Sequence, residues 1–223
     1  YVASRLTGSA VHSDWHNALK LGYDVKALRY PEWMETGPIG EIVHGRLPPV
    51  VRPGEPIAPV SVDVARKYGL KDGCVVVGGT TDSIAAFLAA GATEVGDAVT
   101  SLGSTVAIKL LSDRPVDDAT RGVYSHRLGD RWLVGGASNA GCAVLREQGF
   151  GADELASLSE KIDPEAAPPH DDYYPLSANT VGERFPRPDE NAVSRLTPVP
   201  PDRSEFLHCI LHGIGRVEAE GYA

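Results

Sequence analysis

The segment "CVVVGGTTDSIAAFLAAGA" constrains the fold most, because it places a short apolar strand, a glycine turn and an amphipathic helix in succession. We predict a strand at 74–78, a helix at 82–90 closed by Gly91, and a further strand at 98–102. Strands that alternate with helices, with hairpins added, are typical of an α/β protein with a mixed sheet rather than a helix bundle or a β-sandwich. The sequence therefore predicts the α/β class.

Two β-hairpins are predicted after this helix. In "TSLGSTVAIKLL" the turn contains Gly103 and Ser104, and in "GVYSHRLGDRWLVGG" it contains Gly129 and Asp130. Helices are predicted in "SVDVARKYGL", capped by Ser61, in "NAGCAVLREQG", in "ADELASLSEKI" and near the end of the chain. One face of the last helix is apolar, and it consists of Phe206, Leu207, Ile210, Leu211, Ile214 and Val217.

Composition and charge exclude several classes of protein. A formal net charge of -9 argues against nucleic acid or an anionic membrane surface as the main partner. No apolar run approaches the roughly 20 residues that span a bilayer, so we expect a soluble protein. The three cysteines have no CxxC spacing, and His208 and His212 lack the glutamate of HExxH. We therefore predict neither a disulfide framework nor a zinc site.

Asp82 lies where the predicted strand turns into a helix, and two interpretations of it remain open. A helix N-terminus alone is a sufficient reason for an aspartate, worth about 1 kcal/mol as a cap. Gly78 and Gly79, however, remove side chains from the turn and would let a ligand approach the carboxylate. Ligands of α/β folds also bind beyond the carboxyl ends of strands, which is where Asp82 would lie.

Two other segments could bind an anion. The hairpin tip at 103–105 exposes backbone N–H groups and two hydroxyls, as a phosphate site requires, although an ordinary turn has the same sequence. In "GGASNAGCAVLRE" the glycines at 135, 136 and 141 either admit an anionic group or pack a strand tightly. Neither GxGxxG nor GxxxxGK[ST] occurs, which excludes the usual dinucleotide site and the P-loop.

The order of these segments resembles the FGGY carbohydrate kinase family of the actin-like (ribonuclease H-like, hexokinase-like) ATPase superfamily. The similarity runs almost from end to end and is closest to the ribulose and xylulose kinase-like proteins of cyanobacteria and plastids, less so to glycerol kinases. The resembling segments are "RLTGSAVHSDWHNALKLGYDV", "LPPVVRPGEPIAPVSVDVARKYGLKDGCVVVGGTTDSIAAFLAAGA", "TSLGSTVAIKLL", "GGASNAGCAVLRE", "GERFP" and "FLHCILHGIGRVEAEGY".

The resemblance implies roles for individual residues. Asp82 matches the catalytic aspartate that accepts the proton of a sugar hydroxyl as this hydroxyl attacks the γ-phosphate of ATP, with Thr81 beside it at the substrate. ATP and Mg²⁺ are the implied cofactors, and no metal ligand is assigned in this chain. The implied nucleotide-binding residues are Gly103, Ser104, Thr105 and Gly141.

Three further residues or segments are interpreted as structural. Asp14 and Asn17 of "SDWHNA" are expected to be structural polar residues, with a substrate contact as the alternative. The "GERFP" loop is likewise expected to serve structure before chemistry.

The family begins with a DxGT-type hairpin and ends with a Gly-rich adenosine segment, and this sequence contains neither. The resemblance thus implies an internal fragment, truncated at both ends and inactive alone, with a change of pattern near Gly96. Residues 1–96 would form the C-terminal part of the sugar-binding domain, and residues 97–223 the N-terminal part of the nucleotide-binding domain.

The implied function is ATP-dependent phosphorylation of a sugar hydroxyl, on D-ribulose first and D-xylulose second. The implied partners are the sugar and ATP, without nucleic acid or membrane. The implied location is the cytoplasm, or the plastid in a photosynthetic eukaryote. The alternative is a sugar- or nucleotide-binding module on the actin-like fold without catalysis.

Overall fold

The computed structural model describes residues 1–8 and 12–223. It divides into two compact units, of which the first comprises residues 1–91 with 126–131 and the second residues 92–125 with 132–223. Residues 9–11, part of the first resembling segment, lie outside the described residues. The boundary near Gly96 and the assignment of the two parts to kinase domains stay predictions.

The strands of the first unit form two short pairs. β1 (Ser13–Asp14) runs parallel to β2 (Val50–Val51). β3 (Pro56–Pro59) runs antiparallel to β4 (Val75–Val77). β4 is shorter than the predicted strand because the Gly78 amide and carbonyl bond instead to the loop that precedes β3, at Glu55 O and Gly54 N, each at 2.8 Å.

The helices of the first unit are short. In chain order they are α1 (Val2–Thr7), α2 (Trp15–Ala18), a 3-10 helix (Leu19–Leu21), α3 (Glu32–Glu35), α4 (Gly37–Val43), α5 (Val62–Tyr68) and α6 (Asp82–Ala89). Ser61 is the N-cap residue of α5, but its side chain makes no capping hydrogen bond. Ile84 and Phe87, at 0% and 1% exposure, anchor α6 in the unit. The predicted helix at this position is confirmed.

A four-stranded sheet contains both predicted hairpins, which are confirmed. Its strands are β5 (Ala98–Leu102), β6 (Val106–Ser112), β7 (Tyr124–Leu128) and β8 (Arg131–Ala137), in the order β5-β6-β8-β7. β5 and β6 are antiparallel, with Leu102 opposite Val106, so the tip between them has three residues. β6 is also antiparallel to β8, with Ala107 opposite Ala137.

The second unit contains the helices α7 (Ala143–Glu147), α8 (Ala152–Ser159) and α9 (Arg203–Tyr222). The prediction that α7 starts near Asn139 is wrong. The backbone before it bonds to β6 and to the hairpin tip instead, with Ala140 O accepting from Val106 N at 2.8 Å and Cys142 N donating to Gly103 O at 2.9 Å.

The core of the second unit forms around α9, whose N-cap residue is Asp202. The Asp202 carboxylate accepts from the amides of Ser204 and Glu205. Leu211, on the predicted apolar face, is 37% exposed and lies outside the buried set. The other five residues of that face are buried, together with Cys209. Tyr173 packs against this helix, and burial raises its pKa to about 12.

Candidate functional site

Asp82 is the first residue of α6 and not its cap. Thr81 occupies the N-cap position, without a capping hydrogen bond from its side chain. The Asp82 side chain is exposed, and its Oδ1 accepts only the amide of Ser83, at 2.7 Å. In the described part of the chain, Oδ2 of Asp82 has no hydrogen-bond partner. The carboxylate is therefore accessible and can accept a proton from a bound molecule.

Of the two glycines before Asp82, Gly78 is required for packing within the protein. A Cβ on Gly78 would lie 2.5 Å from the carbonyl oxygen of Arg52 and 2.9 Å from Val51 Cγ2. A Cβ on Gly79 would lie 3.6 Å from Asp14 Oδ2, which is an ordinary contact. At Gly78 a close approach of backbone segments, and not a ligand, therefore accounts for the missing side chain.

Asp14 has a structural role, as predicted. It is 5% exposed, and its Oδ1 accepts the amides of His16 and Asn17 at 2.9 and 3.0 Å. Its Oδ2 accepts from Asn17 Nδ2 at 2.7 Å. Both carboxylate oxygens are thus used to begin α2, which agrees with the structural interpretation of Asp14 and Asn17.

His16 is a buried polar residue that the sequence analysis did not single out. Its Nδ1 lies 2.7 Å from Thr80 Oγ1, and its Nε2 lies 2.6 Å from the carbonyl oxygen of Arg127. A cavity of about 380 Å³ borders this ring and is also lined by Arg52, Gly79 and Thr80. One feature of the sequence could have indicated a role for His16. It lies in "SDWHN", where capping by Asp14 fixes the directions of the side chains that follow.

The four predicted nucleotide-binding residues do meet in the second unit. Cys142 N donates to Gly103 O at 2.9 Å, and Ala143 N donates to Ser104 O at 3.3 Å. A Cβ on Gly141 would lie 2.6 Å from both Ser104 O and Thr105 Cα. The segment after β8 is therefore pressed against the β5–β6 hairpin tip, and glycine is required at 141 for that contact.

The hairpin tip offers donors that fit a phosphate. Gly103 and Ser104 are exposed and Thr105 is half-buried. Within the described residues, the amides and hydroxyls of Ser104 and Thr105 have no hydrogen-bond partner. Unpaired N–H and O–H groups at a largely exposed turn match the donor set that phosphate oxygens need. The residues present thus fit the phosphate part of a nucleotide.

The contact at Gly141 leads to a prediction about stability. We expect Gly141→Ala to lower the free energy of unfolding by about 1–3 kcal/mol, because the new methyl group would displace hairpin backbone atoms. Gly103→Ala is the matched control, since a Cβ there would meet only Thr105 O, at 3.7 Å. Urea unfolding of both variants measures the difference. Equal unfolding free energies for the two variants would contradict the packing argument.

Glu183, of "GERFP", organises the segment that leads to Gly141. This carboxylate is 5% exposed and accepts from Ser138 Oγ at 2.6 Å, Asn139 N at 2.7 Å and Tyr174 OH at 2.8 Å. Burial, and then the neighbouring Glu183 carboxylate, raise the pKa of Tyr174 above its ordinary value. The "GERFP" loop therefore has a structural role, as predicted.

The other glycines of "GGASNAG" also pack against protein atoms. A Cβ on Gly135 would collide with Ile108 O, and one on Gly136 would collide with the Phe185 ring. Of the two interpretations left open for these glycines, tight packing is the correct one for Gly135 and Gly136.

A divalent metal has no complete site in the part of the chain that the structure describes. No group of three or more His, Cys, Asp or Glu side chains there could hold a metal ion. The described side chains therefore do not form a three-ligand protein site for a metal ion. Along residues 1–8 and 12–223, no helix is both long and apolar enough to cross a bilayer.

Comparison with known proteins identifies the fold. Superposition on the xylulose kinase structure from Brucella ovis gives a TM-score of 0.80 with 21% identity, over 99% of this chain and 46% of that one. The chain has the actin-like fold of the sugar kinases. The glycerol kinase of Plasmodium falciparum, solved with ADP, matches this fold with a TM-score of 0.73 and 18% identity, over 99% of this chain and 45% of that chain.

Sequence comparison agrees with this fold at lower coverage. The gluconokinase of Bacillus subtilis (strain 168) is 28% identical over 142 residues, which are 63% of this chain and 25% of that protein. No protein-family profile matches the chain. The chain spans less than half the length of these kinases. The substrates in their names are those of the matched proteins. The predicted fold class is confirmed.

Proposed function

We propose that this chain is part of an ATP-dependent carbohydrate kinase in which Asp82 is the general base. The observation that carries the proposal is the exposed Asp82 carboxylate at the start of a helix, in a chain with the fold of sugar kinases. Residues 1–96 would then belong to the sugar-binding domain and residues 97–223 to the nucleotide-binding domain, with Thr81 beside the sugar.

Asp82 would remove the proton from the attacking hydroxyl. A sugar oxygen forms a bond to the γ-phosphorus of ATP while the bond from that phosphorus to ADP breaks. The hydroxyl proton moves to Asp82 Oδ2, the oxygen that lacks a partner within the described residues. Phosphoryl transfer depends mainly on positioning and on charge stabilisation, so the protein has little covalent chemistry to perform.

Gly103, Ser104, Thr105 and Gly141 would contribute the phosphate contacts. The amides and hydroxyls at the hairpin tip can donate to phosphate oxygens. Gly141 packs against the backbone of Ser104 and Thr105 in this tip. When bound, Mg²⁺ would neutralise charge on the phosphates. Within this chain, the tip residues hold and orient the nucleotide, and Asp82 acts on the sugar.

A pentulose is the proposed acceptor, with D-ribulose ahead of D-xylulose. The resemblance of "GGTTDSIAAF" and "GERFP" to ribulose and xylulose kinase-like proteins supports this order. D-Gluconate and glycerol are the competing acceptors, because a gluconokinase and a glycerol kinase are also similar to the chain.

The test is ADP release by the full-length protein with ATP and Mg²⁺ and each of the four acceptors in turn. We expect sugar-dependent turnover that is fastest with D-ribulose. Turnover only with gluconate or glycerol would overturn the pentulose assignment while leaving a kinase. No sugar-dependent turnover, with ATP or sugar still binding in calorimetry, would favour a binding module without catalysis.

A further inference from the structure

His16 is a buried residue to which the proposed reaction assigns no role. It is 2% exposed and lies between two partners, the Thr80 hydroxyl and the Arg127 carbonyl, which are far apart in the sequence. Thr80 precedes Asp82 by two residues. The imidazole therefore joins the loop that carries Asp82 to the β7–β8 turn region of the same unit.

The two partners determine which ring nitrogen carries the proton. A carbonyl oxygen can only accept, so Nε2 donates to Arg127 O at 2.6 Å. In the neutral ring, Nδ1 is then the acceptor for the Thr80 hydroxyl at 2.7 Å. Whichever of the two groups donates, the bond to Nδ1 holds the Thr80 side chain in one orientation.

Both sides of the imidazole are themselves anchored. Asp14 caps the short helix that contains His16, and its Oδ1 accepts the His16 amide at 2.9 Å. The side chain of Arg127 donates from Nε to Gly129 O at 3.1 Å and from Nη1 to Val25 O at 3.2 Å. The ring position is therefore set by capping on one side and by the β7–β8 turn on the other.

The position of Asp82 is set by α6, which Ile84 and Phe87 anchor, and by the loop that precedes this helix. The loop before it is fixed at Gly78 by backbone bonds to Gly54 and Glu55, and α6 begins where Ala85 N donates to Thr81 O at 2.9 Å. Among the hydrogen bonds of the described residues, the one from Thr80 to His16 holds the loop between these anchors. The start of α6, and with it the position of Asp82, therefore depends in part on that bond.

We propose that His16 is a positioning residue that fixes Asp82 through the Thr80 hydroxyl. The proposal rests on the proposed function, because it assigns the imidazole a role in the rate of sugar phosphorylation. His16 itself does not touch the reacting atoms. A displacement of Asp82 by about 1 Å would slow transfer up to about 100-fold without changing how ATP binds.

The test uses His16→Gln and Thr80→Val in the full-length protein, with Thr80→Ser as the conservative variant. The control is His44→Gln, at an exposed histidine of the same unit. We expect kcat to fall about 10- to 100-fold in the first two variants, with KM for ATP changed less than about twofold. Thr80→Ser and His44→Gln should retain nearly full kcat.

Hydrogen exchange gives a second measurement that does not depend on catalysis. Amides of the peptide 78–84 should exchange faster in His16→Gln and Thr80→Val, and at the original rate in Thr80→Ser. The double variant should be no slower in turnover than the slower single variant, because both changes remove one hydrogen bond. Losses of kcat that multiply would overturn the proposal.

The outcomes separate this proposal from the proposed function. Absence of sugar-dependent turnover in the unsubstituted protein would overturn the proposed function and this role with it. Normal turnover there, with kcat unchanged in Thr80→Val, would overturn the role of His16 alone. If His16→Gln does not fold, the kcat of Thr80→Val tests the role of the hydrogen bond. This substitution only exchanges a hydroxyl for a methyl group.

Discussion

Asp82→Asn should lower sugar-dependent ADP release by the full-length protein about 10²- to 10⁴-fold, the usual contribution of a general base. The amide keeps the size of the side chain and can still accept from Ser83 N, but it cannot take up the proton of the sugar hydroxyl. We expect kcat to fall while KM for ATP stays nearly constant. Steady-state rates with D-ribulose, D-xylulose, D-gluconate and glycerol measure the loss.

Asp63→Asn is the matched control for this substitution. Asp63 is also an exposed aspartate in the first turn of a helix of the same unit, α5. Both substitutions remove a negative charge near a helix N-terminus, which is worth about 0.3–1 kcal/mol of stability. A catalytic loss confined to Asp82→Asn therefore cannot come from the helix. A kcat for Asp82→Asn within threefold of the original would exclude Asp82 as the base.

Glu183→Ala should reduce the free energy of unfolding by about 3–5 kcal/mol, since it leaves several buried donors without an acceptor. The Ser138 hydroxyl, the Asn139 amide and the Tyr174 hydroxyl all donate to this carboxylate. Urea unfolding followed by tryptophan fluorescence measures the loss. Glu165→Ala, at an exposed glutamate, is the control and should change stability by less than about 0.5 kcal/mol.

Glu183→Gln distinguishes loss of volume from loss of acceptors. Glutamine fills the same space, but one of its terminal atoms is an NH₂ group that would face other donors. We expect it to be less stable than the original protein and more stable than Glu183→Ala. Unfolding of Glu183→Ala at the same urea concentration as Glu165→Ala would show that the donors find other partners, and would refute the structural role of "GERFP".

Local patterns in the sequence were sufficient for the α/β class and for most elements. The apolar run at 75–77, the helix at Asp82 and both hairpins depend on near neighbours, on period and on turn residues, which the sequence contains. The approximate location of Asp82 after a strand follows from the same patterns. The roles of Asp82 and of the hairpin tip came from a resemblance and remain to be tested by the substitutions above.

Only the tertiary structure decided what the individual polar and glycine residues do. Nothing in the sequence says that Gly141 meets Ser104, that Glu183 accepts from Ser138, or that Leu211 leaves the buried face of α9. His16 is the clearest case, because its partners Thr80 and Arg127 are 64 and 111 residues away along the chain. A hydrogen bond depends on the distance and direction between two groups in space. Sequence patterns constrain such geometry only for near neighbours, whereas for distant residues it is set by the packing of the whole unit.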